Sequence, residues 1–253
     1  MPARSTAKTE LPLIEIFSSV QGEGPWVGER QVFVRLPDCN LDCGYCDTPF
    51  GETACCRVER EPGSTLQERW TNPVELPALL SLLDDWLVRR GIVHHSLSLT
   101  GGEPLMHAEG LLDWAPELSR RLPLYLETNG TLPGELERLL PWLSYISMDL
   151  KLPSVAGQGD LWEQHREFLR LARQKKAYAK AVVSPETDPA DLMAAAALMK
   201  EEGGAMPLVL QPATVDGRIG VSASRMLQLF EQVGRIYPHL RIIPQVHRFC
   251  GLL

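Results

Sequence analysis

The sequence predicts an α/β fold built as an incomplete, open parallel βα barrel. Two observations carry this reading. Apolar runs alternate with helical patterns from Gln31 to the C-terminus, and repeated βα units imply parallel strands joined by right-handed crossovers. Only about six or seven such units fit the chain, short of the eight that close a barrel. Periodicity alone leaves a doubly wound sheet open as the alternative.

The first strand is Gln31–Leu36, whose central apolar residues are continuous, as in a strand buried on both faces. Pro73–Arg90 carries Leu76, Leu79, Leu80, Leu83, Trp86 and Leu87 at helical spacing, and Gly91 ends it. Further strands are expected at Ser96–Thr100, Leu124–Glu127, Tyr145–Leu150, Tyr178–Val183 and Leu208–Gln211. The intervening helices fall at Glu109–Arg121, Trp162–Gln174, Ala190–Glu202 and Ser222–Val233, and a last short strand covers Arg241–Ile243. Gly51–Asn72 is polar, charged and without period, so it reads as an excursion before the first long helix. Residues 11–253 read as one domain behind a flexible tail, 1–10.

The 253 residues are ample for a core. A net charge of −7 argues against a sequence-independent nucleic-acid binder. No apolar run approaches the ~20 residues of a membrane span, and Met1–Glu10 lacks the apolar stretch of a signal peptide. A cytoplasmic protein with neither nucleic acid nor membrane as partner is expected.

Five of the six cysteines lie between Cys39 and Cys56. In a reducing compartment such clusters bind metal or do chemistry more often than they form disulfides. Cys39-Asn-Leu-Asp-Cys43-Gly-Tyr-Cys46 has the spacing C-x3-C-x2-C. Soft thiolates suit iron–sulfur clusters, and three ligands for four irons leave one iron open. Zinc sites normally close with four ligands; no histidine lies near this loop, and the adjacent Cys55 and Cys56 are awkward co-ligands. Zinc, or no metal at all, remain the alternatives. Leu99-Thr-Gly-Gly-Glu-Pro104 follows an expected strand. There Gly101 and Gly102 permit close backbone approach to a ligand, and Glu103 can accept from an ammonium group.

With these two landmarks the chain resembles the radical S-adenosylmethionine superfamily, in which an aromatic residue commonly precedes the third cysteine, as Tyr45 does here. The flanks narrow the likeness. Ile16-Phe-Ser-Ser-Val-Gln-Gly-Glu-Gly24, Phe33-Val-Arg35, Cys46-Asp-Thr48, Glu127-Thr-Asn-Gly-Thr131, Asp149-Leu-Lys151 with Pro153-Ser154, and Gln245-Val-His247 are similar to the 7-carboxy-7-deazaguanine synthase family. They span nearly the whole chain in the same order.

The resemblance implies a barrel of the radical S-adenosylmethionine type, assembled as a homodimer. It implies ring contraction of 6-carboxy-5,6,7,8-tetrahydropterin to 7-carboxy-7-deazaguanine with loss of ammonia, a step of queuosine and deazapurine biosynthesis. The hydrogen is taken by an adenosyl radical, with no acid–base side chain in that role. Implied cofactors are a 4Fe–4S cluster on Cys39, Cys43 and Cys46, S-adenosylmethionine, and magnesium at Thr48; a flavodoxin- or ferredoxin-like electron donor is the implied partner. Tyr45, Cys46, Asp47, Gly102, Glu103, Glu127, Asp149, Leu150, Lys151 and Gln211 would surround the cofactor. Val20, Gln21, Gly22, Glu23, Arg35, Thr100 and His247 would bind the pterin, with Arg35 gripping its carboxylate. Asp149-Leu150-Lys151 stands where many relatives read Ser-Pro-Lys. A glycyl-radical activating enzyme and a non-catalytic iron–sulfur or zinc protein are the rival readings.

Overall fold

The computed structural model describes residues 10–46, 54–157, 159–215 and 217–252. Ten strands form the main sheet: β1 (Glu15–Val20), β2 (Arg30–Leu36), β3 (Cys55–Glu59), β4 (Gln67–Thr71), β5 (Ser96–Gly101), β6 (Leu124–Thr128), β7 (Leu143–Asp149), β8 (Lys176–Val183), β9 (Leu208–Pro212) and β10 (Leu240–Ile242). Their order is β10-β9-β8-β7-β6-β5-β2-β1-β3-β4. Every neighbouring pair from β2 to β10 is parallel, and these seven strands follow one another in chain order. A doubly wound sheet reverses its order at a switch point. The run of seven parallel strands from β2 to β10 never does, so it forms an open partial barrel, with β1 and the β3–β4 hairpin added at its first edge.

The principal helices are α1 (Leu76–Asp84), α2 (Ala108–Ser119), α3 (Pro133–Leu139), α4 (Trp162–Ala172), α5 (Pro189–Glu202) and α6 (Ala223–Gly234). Each packs on the next, and α6 closes against β10. Starts are set by local chemistry: Asp188 accepts from Ala190 N at 2.9 Å before α5, with Pro189 at the first helical position. Helix-facing strand residues such as Val32, Leu99, Leu126, Met148 and Ala181 join Leu79, Trp114 and Phe168 in one buried cluster. The sheet therefore has an apolar convex face and a second, concave face left for other work.

The excursion proves ordered where it is described. Cys55–Glu59 pairs antiparallel with Gln67–Thr71 and extends the sheet edge. Cys56 and Val58 alternate into the core, both 0% exposed. Two or three inward residues are too few to register as a period among charges. Glu59 ties the hairpin down, accepting from Ser18 N at 2.8 Å and from Gly63 N and Thr65 N at 3.0 Å. Further elements escape sequence reasoning, among them strand β1, helix α3, and turns of helix at Pro153–Ala156 and Val246–Cys250. All are short. The helix expected to Arg90 changes to a wider turn at Asp85–Arg89, the last strand begins one residue early at Leu240, and Glu10 of the expected tail pairs with Glu75.

Candidate active site

Strand alternation decides which side chains enter the barrel. Arg35 of β2 stands beside Thr100 of β5, Glu127 of β6 beside Ser147 of β7, Asp149 beside Lys180 of β8, and Val182 beside Gln211 of β9. All of them line one cavity of about 290 Å³, at the carboxyl ends of the parallel strands where such folds place their chemistry. Two residues earlier on the strands β6 to β9, Tyr125, Tyr145, Tyr178 and Val209 pack with Trp26 as an aromatic floor.

The cysteine loop leaves β2 and is fastened before the first thiol. Gly102 N donates to Leu36 O at 3.1 Å and Glu103 N to Asp38 O at 2.7 Å. A methyl group on Gly101 would lie 2.0 Å from Leu36 O, and one on Gly102 would lie 1.8 Å from Asp38 O. The two glycines thus admit the loop's own backbone as well as lining the cavity, where the sequence pointed to a ligand alone. Glu103 is 0% exposed. Its carboxylate accepts from Leu105 N at 3.0 Å, Thr128 Oγ1 at 2.9 Å and Asn129 N at 2.7 Å. Burial nevertheless pushes it up to about 7. Glu103 braces the end of β6 and does not face the cavity as expected.

Cys39, Cys43 and Cys46 all line the cavity, and burial raises the Cys39 and Cys43 thiols. Among the described residues no three acidic, histidine or cysteine groups converge as they would on a single ion. A cubane asks for something different, since it spreads its thiolates over separate corner irons. Three soft donors on one short loop beside a cavity suit it. Asn129, missed by sequence reasoning, is oriented by Thr131, whose Oγ1 donates to Asn129 Oδ1 at 2.6 Å. Its Nδ2 then points to Asn40 Oδ1 at 2.8 Å and Cys39 Sγ at 3.7 Å. The signal was present in the Glu127–Thr131 motif, but the amide's direction depends on the fold.

Lys151 donates to Asp149 Oδ2 at 2.8 Å and to Tyr45 Oη at 3.1 Å. Burial opposes its charge, but Asp149, Tyr45 and Cys43 together outweigh that and hold the ammonium well above its usual range. Among the described residues, Asp149 Oδ1 and Gln211 Oε1 are buried without a partner. Two unmatched acceptors in the cavity wall fit a ligand rich in hydroxyl, amino or ammonium donors, as S-adenosylmethionine is. Leu150 is corrected: strand alternation turns it to the convex face, where it is 0% exposed in the main core.

Across the cavity, Gln21 donates to Glu127 Oε1 at 2.8 Å and accepts from Glu23 N at 2.9 Å. Thr100 donates to Glu127 Oε2 at 2.7 Å. Glu23 receives Lys180 at 2.5 Å, Gln211 at 3.0 Å and Gln245 at 2.9 Å. Burial alone would raise the Glu23 carboxyl, but the Lys180 charge and these hydrogen bonds hold it at about 2. Gly22 lets the terminal helix close over this belt, since a methyl group there would sit 1.9 Å from His247 Nδ1. Arg35 is anchored by Glu15 at 2.7 Å and lies over the Phe17 ring at 5.9 Å while lining the cavity. Val20 and His247 line it too. Lys180 and Gln245 were not among the expected site residues, although a single lysine inside the apolar run Ala177–Val183 was a signal. Asp47 and Thr48 lie outside the described residues.

Residues 33–199 match the model of the radical SAM superfamily. The chain is 43% identical to the 7-carboxy-7-deazaguanine synthase of Geobacter sulfurreducens, covering 98% of this chain and 100% of that protein. To the enzyme of that name from Methanothermobacter thermautotrophicus it is 32% identical, covering 95% of this chain and 97% of the other. The crystal structure of QueE from Escherichia coli superposes with a TM-score of 0.62 at 22% identity, covering 95% and 96% of the two chains, and so shares the fold. The chain is a member of the radical SAM superfamily, an enzyme that takes S-adenosylmethionine and a 4Fe–4S cluster, acts on a small molecule and needs a reductant. Within it, the chain belongs to the 7-carboxy-7-deazaguanine synthase family, a lyase group.

Proposed function

We propose that this chain contracts 6-carboxy-5,6,7,8-tetrahydropterin to 7-carboxy-7-deazaguanine with release of ammonia. The observation that carries the reading is the cavity itself, in which the three-cysteine loop and the polar belt of Gln21, Glu23, Arg35 and Glu127 face one space. Cys39, Cys43 and Cys46 would hold the cluster, and Asp149, Lys151, Tyr45, Gly102 and Gln211 would hold S-adenosylmethionine. When bound, these groups would supply one-electron sulfonium cleavage and hydrogen abstraction.

The chain's own residues do the placing. Arg35 spends one of its five donors on Glu15 and has others for a substrate carboxylate. The Glu15 contact and the Phe17 ring fix the plane of the fork. Gln21, whose two amide hydrogens go to Gln31 and Glu127, and Glu23 offer acceptors to the pyrimidine edge of the bicycle. His247, brought down by the missing side chain at Gly22, helps exclude water above it. Thr48 is proposed to ligate magnesium beside the carboxylate, and Asp47 to complete the cofactor shell. A cytoplasmic homodimer fed by a flavodoxin- or ferredoxin-like donor completes the proposal; among the described residues no helix is long and apolar enough to cross a membrane.

The test is direct. Reconstituted, reduced protein is incubated with S-adenosylmethionine and the carboxypterin, and products are read by mass. The deazaguanine acid should accumulate over many turnovers. Cofactor cleavage without that product would overturn the substrate assignment.

A further inference from the structure

Lys180 stands at the junction of the two halves of the cavity, paired with Glu23 on one side and facing Asp149 on the other. Its side chain and that of Glu23 are each 15% exposed, and both line the cavity. The ammonium lies 2.5 Å from Glu23 Oε2 and 3.8 Å from Asp149 Oδ2. An ionised carboxylate has about four acceptor positions. Glu23 uses one for Lys180 and two for Gln211 and Gln245. One acceptor position remains beside the cavity, on a buried group whose charge is favoured above all by the ammonium lying against it.

We infer that Lys180 is a positioning residue that keeps Glu23 an anionic acceptor, and that this acceptor selects a heterocycle presenting N–H donors on its pyrimidine edge. The inference rests on the substrate reading proposed above. Neutral amide side chains could donate to the wrong edge as readily as accept from the right one. A locked carboxylate accepts only, so it rejects a ring that presents a bare acceptor at that place. Burial would otherwise favour the protonated acid, which could donate and lose the distinction. Lys180 supplies the charge that prevents this. Burial opposes the ammonium too, but Glu23 and Asp149 keep it protonated.

The charged and titratable groups around Glu23 are Lys180 from β8, His247 from the terminal helix, and the floor tyrosines Tyr178 and Tyr125. Asp149 lies behind Lys180, and Glu127 is joined through Gln21. With Lys180 removed, only His247 among these could still favour the anion at low pH.

The test compares wild type, Lys180→Met and the double variant Glu23→Gln, Lys180→Met, each with full cluster content. KM for the carboxypterin is measured from pH 6 to 9, and equilibrium binding of 7-carboxy-7-deazaguanine is followed by tryptophan fluorescence. Wild type should show no Glu23 titration in either readout. Lys180→Met should raise KM and the product Kd by about thirtyfold or more, as loss of one partner of a buried charge pair does. Its affinity should recover as pH rises and Glu23 ionises. The double variant, which leaves no orphaned charge, should fold as stably as wild type, bind weakly, and show no such recovery. Wild-type affinity and a flat profile in Lys180→Met, or full affinity in the double variant, would overturn the inference. Failure of wild type to make the deazaguanine would instead overturn the reading on which it rests.

Discussion

The belt and the floor of the barrel are built on the same strands two residues apart, yet they obey different rules. At the floor, Trp26 meets Tyr145 edge-on at 5.0 Å and Tyr125 at 5.8 Å, and Tyr125 and Tyr178 share a hydroxyl contact at 3.3 Å. These rings satisfy one another and fill space. In the belt, Glu23, Lys180, Asp149, Lys151 and Glu127 are paired in a network, but Asp149 Oδ1 and Gln211 Oε1 find no partner among the described residues. A packed layer that needs nothing supports a polar layer that still has hydrogen bonds to make. The contrast separates stability from chemistry within ~7 Å of strand.

The largest effects should come from the mouth above the belt. Alanine at Cys39, Cys43 or Cys46 should abolish cluster absorbance and all cofactor cleavage. Alanine at Cys55 or Cys250 should leave iron content unchanged. Cys56 is buried in the core with its thiol pushed up to about 12 by burial; its replacement should lower the thermal midpoint and leave the iron in place. Iron loss from the Cys55 or Cys56 variants would break the division drawn here.

Arg35 sharpens the comparison next. Loss of one partner of a desolvated charge pair costs ~2–5 kcal/mol. Arg35→Ala should therefore cut kcat/KM for the carboxypterin by thirtyfold or more with the cluster retained. Arg35→Lys should recover only part, since a point charge cannot reproduce the fork. Steady-state kinetics with iron analysis decides it; normal turnover in Arg35→Ala would remove Arg35 from the belt's working set.

Just behind the belt, His165 is 0% exposed and burial lowers it to about 4. A group with a depressed folded pKa is neutral when folded and takes up a proton on unfolding. Stability should be fully present above the unfolded value of ~6.5 and fall as pH drops from there towards 4, by up to ~3 kcal/mol. Thermal midpoints of wild type and His165→Gln across pH 4 to 7.5 test this. An acid slope that the variant does not reduce would assign the effect to other groups, such as His94, also lowered to about 4 by burial.

The smallest effect is expected at the floor. Tyr178→Phe removes contacts with Tyr125 Oη and Ser147 Oγ, the latter at 2.8 Å. It should cost ~1–2 kcal/mol of stability and change KM for the carboxypterin less than twofold. A kinetic defect as large as that of Arg35→Ala would mean that floor and belt act as one unit.

Much of this protein is written locally. The thiol spacing at Cys39–Cys46, the glycine pair at 101–102 and the apolar periods of the βα units could be read directly, because each depends on residues close in the chain. The monotonic order of the seven parallel strands, the inward turn of Asp149 against the outward turn of Leu150, and the burial of Glu103 under β6 belong to the tertiary structure. So do the hairpin at Cys55–Thr71, whose alternation is too short to register, and the meeting of Lys180 with Glu23 across 157 residues. Chain-local geometry fixes what a residue can do. Only the packing of distant strands fixes which charges share one low-dielectric space, and there their interaction is strong enough to set function.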